Sequence, residues 1–491
     1  MPKLTGPMNE RVIRKTAGRC RERGVVIPTF AELRDPEKIP EAIRRKLPGV
    51  GMDDLHPLNL FRISWKNDPG TGLYGPVNAL ELPRAVTGLE ARVIGLVGKR
   101  FPTGAHKVGA AFGCLVPRLV SGAFDPEVHR AVWPSTGNYC RGGAFDCALL
   151  GCRAVAILPE EMSRERFEWL RSIGAEVIAT PGCESNVKEI YDKCRELEAD
   201  SLNMIFNQFS EFGNPLFHYQ VTGPAAEEAY AARRPEKGSL SAFVSATGSA
   251  GTIAAGDYLK TLHPEMRIVA AEASPCPTLF LNGFGGHRIE GIGDKHVPWV
   301  HNVRQTDAVA AVDDEDCLRL LRLFNEEAGH RYLRSLGLTE AETLSLSLLG
   351  LSGICNLLAA VKTARYFEFG REDVVVTVFT DSLDLYRSRL EERSREMGAY
   401  RDLDAARDHA AVIEHQGIGW FKELGYRDRK AVHNLKYFTW VEQQGKTVEE
   451  LNDLWRPEFW REIFTEEAAP LERLISEFNR EAGFSEAGRR P

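Results

Sequence analysis

From about residue 90, short apolar runs alternate with longer stretches of helical period. Seven runs are expected strands: Ala91–Val97, Ala131–Trp133, Ala154–Leu158, Glu176–Ala179, Ala242–Ser245, Arg267–Ala271 and Asp373–Phe379. Several are rich in Val and Ile without polar alternation, which is how strands buried on both faces read. Between them, Ser163–Ile173 puts Phe167, Leu170 and Ile173 on one side. Ser185–Leu197 opens at an N-cap residue and carries Val187, Ile190, Tyr191 and Cys194 at helical spacing. Strand–helix alternation of this kind predicts an α/β fold: two lobes with mainly parallel twisted sheets flanked by helices. The lobes are expected within residues 51–386, the smaller one inserted at about 105–220.

Both flanks have a different texture. Residues 1–50 are polar and basic, mixed with glutamates and without sustained period, and read as a solvated leader with a short helix or two. From residue 387 to 491 no convincing strand is visible, and the pattern predicts an all-helical extension. Its aromatic residues, Trp420, Phe421, Tyr437, Phe438, Trp440, Trp455, Phe459 and Trp460, form too much apolar surface to stay exposed. They are expected to dock on the catalytic core near a dimer interface. Thr447-Val448-Glu449-Glu450 is a capping-box pattern, after which Val448, Leu451 and Trp455 share a helical face.

Composition narrows the function classes. With 491 residues, 43% hydrophobic and 27% charged, the chain has the make-up of a globular protein, not a disordered one. A net charge of −7 makes a dedicated nucleic-acid binder a poor reading. No run approaches the ~18 apolar residues of a membrane span, and Met1–Gly6 lacks the apolar core of a signal peptide. Ten cysteines without a C-x-x-C pair suggest neither a disulfide scaffold nor zinc, and Cys147, Cys152, His287, His296 and His301 do not make a metal set. No metal, no nucleic acid and no membrane are expected, and a reducing cytoplasm is the expected compartment.

Three short segments can carry chemistry. In Pro102-Thr103-Gly104-Ala105-His106-Lys107 a lysine follows an expected strand and opens an expected helix, among small residues and far in sequence from carboxylates. Desolvation there favours the neutral, nucleophilic amine; an ordinary surface lysine is the competing reading. Ser135-Thr136-Gly137-Asn138-Tyr139 stands directly after another strand, either gathering an anion or capping the next helix. Thr247–Thr252, Thr-Gly-Ser-Ala-Gly-Thr, lies between a strand and a helix, and its small residues let consecutive N–H groups wrap a phosphate. It is neither a P-loop nor a dinucleotide fingerprint. A lysine in small residues together with a phosphate cup suggests pyridoxal 5'-phosphate.

These motifs, in this order, resemble the cysteine synthase and tryptophan synthase β-chain superfamily, the fold-type II pyridoxal-phosphate enzymes. The resemblance runs from about Asn78 to Tyr386. Thr103–Lys107 resembles the cofactor-lysine motif, Ser135–Asn138 the Thr-Ser-Gly-Asn loop, and Asn207-Gln208-Phe209 with Gly213-Asn214-Pro215 is similar to cysteine synthase, as are Gly248–Thr252 and Glu290–Gly293. The resemblance implies that Lys107 is catalytic and forms a Schiff base with the cofactor. It implies that Asn138 bonds the ring hydroxyl and that Gly248, Ser249, Ala250, Gly251 and Thr252 bind the phosphate. Ser352 in Leu351-Ser352-Gly353 would stand at the ring nitrogen, and Ser135, Thr136, Asn138 and Gln208 would hold the substrate α-carboxylate. Tyr139 replaces a small residue, Cys140 reads as a pocket-mouth thiol or a buried apolar group, and His106 as a phosphate contact or a packed ring.

The implied function is a lyase or transferase acting on a small amino acid by β-elimination or β-replacement through an aminoacrylate, in a homodimer. The alternatives are a threonine synthase-, dehydratase- or racemase-like reaction, or a non-catalytic partner subunit that keeps the fold.

Overall fold

In a computed structural model, which describes residues 4–135, 137–183, 187–293 and 295–484, all seven expected strands form, with ends shifted by at most three residues. They build two sheets. The larger has seven strands in the order Phe421–Glu423, Ala308–Val312, Arg267–Ala273, Ser239–Ala246, Asp373–Phe379, Arg92–Val97 and Ala79–Glu81. Its five central strands are parallel and its two edge strands antiparallel. The smaller is fully parallel: Glu176–Thr180, Arg153–Pro159, Arg130–Pro134 and Asn203–Ile205. Arg92–Val97 and Asp373–Phe379 are buried along nearly their whole length, as uninterrupted Val/Ile runs require.

The helix Lys107–Val120 carries the chain from the larger sheet to the smaller, and the helices Gly213–Phe217 and Gly223–Arg233 carry it back. Ala110, Ala111, Phe112, Leu115 and Val116 of the first of these are fully buried. Arg164–Ser172 is helical as expected, and Val187–Glu198 forms the next helix, while the expected N-cap Ser185 lies outside the described residues.

Most apolar side chains of residues 4–50 are packed in the core, so this segment is not the solvated leader expected. In the helix Glu10–Arg23 the charged residues face outward while Ala17 and Cys20 are buried, and Val25, Ile27, Phe30 and Leu33 follow them into the core. Their partner is the last helix, Ala468–Glu481. Arg21 donates to the carbonyls of Glu481 (2.7 Å) and Ala482 (3.1 Å), and the Asn479 carboxamide bonds both the N–H and the C=O of Ile27 at 3.0 and 2.8 Å. A leader read from its own sequence looks solvated because the surface that covers it lies at the other end of the chain.

The C-terminal region is helical and docks on the catalytic lobes. Trp440 donates from Nε1 to Val297 O at 2.9 Å, and the Lys436 ammonium is held by the carbonyls of Trp299 and His301. Phe459 and Trp460 pack edge-on against Phe212, and Phe464 stacks on Tyr219. The extension is not all-helical as expected: Phe421–Glu423 adds a short strand to the edge of the larger sheet, because Ala308–Val312 leaves an edge there for it to pair with. Trp420 and Phe438 remain exposed, at 45% and 57%. The capping box forms, with Thr447 Oγ1 accepting from Glu450 N at 3.1 Å, but of the expected face only Leu451 is buried and Val448 is exposed.

Candidate active site

Lys107, Ser135, Asn138, Gln208, Gly248 and Ser249 line a single narrow pocket, together with Tyr139, Phe209 and Gly291–Gly293. Each of the first six follows the C-terminal end of a parallel strand, the edge where open α/β sheets bind ligands. The chain leaves Arg92–Val97 and makes a turn in which Thr103 and Gly104 take left-handed φ of 68° and 69°, and Lys107 then opens its helix. The Lys107 side chain crosses the pocket and donates from Nζ to Ser249 Oγ at 3.2 Å. Burial without an ion-pair partner pushes its pKa down to about 8.

Opposite the lysine, Thr247 is pinned to Ala271 O by its amide (2.8 Å) and its hydroxyl (3.0 Å). The chain then turns through Gly248–Thr252, with Ala250 at φ 59°, into the helix Ile253–Leu262. Among the described residues the N–H groups of Ser249, Ala250 and Thr252 have no protein acceptor. Unbonded amides at a helix start form an anion cup. Asn214 braces the cup, donating to Ser249 Oγ (3.1 Å) and to Gln208 O (2.8 Å), and so ties the cup to the Gln208 segment. Position 251 must be glycine because a Cβ there would run into the Asn214 carboxamide.

His106 is a packed ring that also reaches the cup. It stacks on Trp65, meets His218 edge-on and lies 3.4 Å from Thr252 Oγ1. Burial pushes both imidazoles well below their ordinary pKa, so they stay neutral.

On the smaller sheet's side, Ser135 Oγ accepts from Gly137 N at 3.1 Å. Thr136 lies outside the described residues. Gly137 has φ 142°, and a Cβ there would strike Arg166, so this loop rests directly on that guanidinium. Cys140 is fully buried, donating to Gly137 O at 3.0 Å, and burial pushes its thiol up to about 12; it is an apolar filler and not a pocket-mouth thiol. Tyr139 is buried edge-on to Trp133.

Of the residues beneath this loop, only Glu290 stands in a motif singled out in the sequence; Asp381, Arg166 and Arg389 do not. Asn138 donates from Nδ2 to Asp381 Oδ2 at 2.6 Å, and the same oxygen accepts from Tyr386 OH at 2.8 Å. Arg166 donates to Tyr386 OH (3.1 Å), stands 3.7 Å from Asp381 and pairs with Glu290, whose other oxygen accepts from Arg389 Nε at 2.7 Å. Burial pushes the Asp381 carboxyl up, against Arg166, Asn138 and Tyr386, which favour its ionised form. The position of Asp381, two residues past the strand Asp373–Phe379, is the one signal in the sequence that marks it. Ser352 does not line the pocket; it is buried at the start of the helix Leu351–Tyr366, with no partner for its hydroxyl among the described residues.

The lysine, the amide cup, Asn138 and Gln208 together fit a planar phosphorylated aldehyde with an amino acid beside it. Comparison with known proteins agrees. The chain matches the model of the family described as "Pyridoxal-phosphate dependent enzyme" over residues 71–335, more than half of its length. It is 31% identical over 258 residues to a cysteine synthase of Staphylococcus aureus, covering 52% of this chain and 75% of that one. It is 29% identical over 290 residues to a probable cysteine synthase of Bacillus subtilis, covering 58% and 85%. Among solved structures, the cysteine synthase of Entamoeba histolytica shares the fold at TM-score 0.56 and 19% identity, over 69% of this chain and 93% of that one. An O-acetylserine dependent cystathionine beta-synthase from Helicobacter pylori does so at TM-score 0.53 and 23% identity, over 63% and 95%.

Proposed function

The chain belongs to the pyridoxal-phosphate-dependent enzyme family, and from that premise we propose that it carries out β-elimination or β-replacement on a small amino acid bearing a leaving group at Cβ. The observation that carries this reading is the placing of one half-buried amine, free of carboxylates, between an amide cup and a carboxamide. Pyridoxal phosphate, when bound, supplies a carbonyl that takes up amines and a ring that accepts electron density.

In this reading the N–H groups of Gly248–Thr252 hold the phosphate, and the side chain of Asn138, steadied by Asp381, orients the ring hydroxyl. Ser135, Thr136 and Gln208 take the substrate α-carboxylate, which sets the Cα–H bond toward Lys107. The Lys107 amine would hold the cofactor covalently at rest, be freed when the substrate amine takes its place, and as the free amine take the proton from Cα and return it where the reaction requires. Release of acetate from O-acetyl-L-serine by the loaded enzyme tests the reading. Proton exchange at Cα with no loss of the β-substituent from any β-substituted amino acid would contradict it.

Two expected results follow from the groups themselves. A free lysine titrates near ~10.4, whereas Lys107 is held at about 8 by burial. Its reactive neutral form therefore appears at lower pH. The rate at which cofactor-free enzyme takes up pyridoxal phosphate should rise with pH and level off above about 8, read by absorbance; a rate still climbing steeply at the pH of free lysine would contradict the assignment. Replacing Gln208 by Ala removes a donor to a carboxylate. A hydrogen bond to a charged group is worth ~1.5–3 kcal/mol, so kcat/KM should fall roughly 10- to 150-fold, mainly through KM. Unchanged kinetics on O-acetyl-L-serine would remove Gln208 from the carboxylate site.

A further inference from the structure

Arg141 has no part in the reading above. It lies one helical turn beyond Asn138 in the helix Asn138–Leu150 and is 4% exposed. Its Nε and Nη1 are buried without a hydrogen-bond partner among the described residues. The guanidinium sits over the ring of Trp169, 4.6 Å from its centre. That stack covers one face and leaves the N–H edges free. A buried cation without hydrogen bonds is costly, and such groups are normally paired.

Arg141 lines a cavity of about 350 Å³ that also receives Lys99, Arg100 and Ser382. The cavity is a neighbour of the Lys107 pocket: the Thr103–Gly104 turn forms part of its wall, and Ser382 is next in sequence to Asp381, which holds Asn138. Two carboxylates also line it. Asp384 is already engaged by Lys99 and Arg387. Asp53 makes no ion pair among the described residues; Asp381, beyond the cavity wall, and then Asp53 attract Arg141 from a distance without bonding it.

We propose that this cavity is an oxyanion site, in which the Arg141 guanidinium binds a small carboxylate, sulfate or phosphate group beside the Lys107 pocket. The planar fork of a guanidinium matches two oxygens of such a group, and Arg100 adds to the cavity's positive charge, while Lys99 is already paired with Asp384. The group arrives either as the acidic substituent of a substrate or as a free anion. The site itself does not depend on the reaction proposed above, because binding is read without turnover.

The test uses the pyridoxal-phosphate-loaded enzyme, with inorganic sulfate and phosphate titrated by calorimetry at constant ionic strength. The wild type should bind each saturably. Arg141→Met, which keeps an aliphatic chain over Trp169 and removes the charge, should weaken binding at least tenfold. Should that variant fold poorly, Arg141→Lys keeps the charge and loses the fork, and should also bind more weakly. The proposal is overturned if the wild type shows no saturable binding, or if Arg141→Met binds undiminished. It is likewise overturned if sulfate binds only to Asp53→Asn, which would make Asp53 the partner of Arg141. Kinetics then assign the source. Sulfate competing with O-phospho-L-serine but not with O-acetyl-L-serine, with KM raised in Arg141→Met only for the former, places a substrate group in the cavity. Binding that leaves both KM values unchanged makes a free anion the ligand, and either result supports the site.

Discussion

Lys107→Ala is expected to fold, to retain little pyridoxal phosphate, and to lose at least ~10²–10⁴-fold in turnover, the usual worth of a positioned proton-transfer group alone. The fold should survive because the ammonium's one hydrogen bond is to Ser249, and its removal leaves no carboxylate unpaired. Alanine is also the best helix former at the first position of Lys107–Val120. Circular dichroism and the melting temperature of the cofactor-free proteins should match, while the visible absorbance of the loaded enzyme is lost. A variant with wild-type activity would remove Lys107 from the chemistry.

The second large effect concerns stability. Arg166→Met should lower the stability of the chain by about 3–5 kcal/mol, the range found when one partner of a buried ion pair is deleted. Arg166 is fully buried between Glu290 and Asp381, themselves 2% and 0% exposed. Without it Glu290 keeps Arg389, and Asp381 keeps only the Asn138 and Tyr386 hydrogen bonds. The loop at Gly137 also loses the surface it rests on, so kcat/KM should fall with stability. Arg164→Met is the control: that residue pairs with Glu168 at the surface, both 63% exposed, and surface pairs contribute ~0–1 kcal/mol. Denaturant midpoints read both. Equal midpoints for the two variants would show that the buried network does not hold the site together.

How much of this was legible in the sequence depended on how local the signal is. Asp373–Phe379 reads as a buried strand from its own valines, and Gly248–Thr252 reads as a cup from its own small residues and its place between strand and helix. Ala308–Val312 is as fully buried as any strand, yet three of its five residues are alanines, which carry no strand preference, and it was not marked. The short strands Asn203–Ile205, Ala79–Glu81 and Phe421–Glu423 are defined by pairing with distant segments more than by their own composition. The support of the site was hidden for the same reason. Asn138 and Asp381 are 243 residues apart, and nothing at either position announces the other. Arg166 looks like an ordinary surface charge, and Glu290 belongs to a marked motif with no sign of its partner, until the fold brings the two together in the interior. The first helix is misread as solvated because Asn479, which closes the backbone at Ile27, comes 452 residues later.

The central claim is that Lys107 carries the cofactor, and reductive mapping tests it most directly. Enzyme loaded with pyridoxal phosphate is reduced with borohydride, digested, and the modified peptide sequenced by mass spectrometry. The account predicts one phosphopyridoxyl group per chain, on Lys107 in the tryptic peptide Phe101–Arg118, which the modified lysine leaves uncut. A modification found mainly on any other lysine, or spread over several, would contradict it.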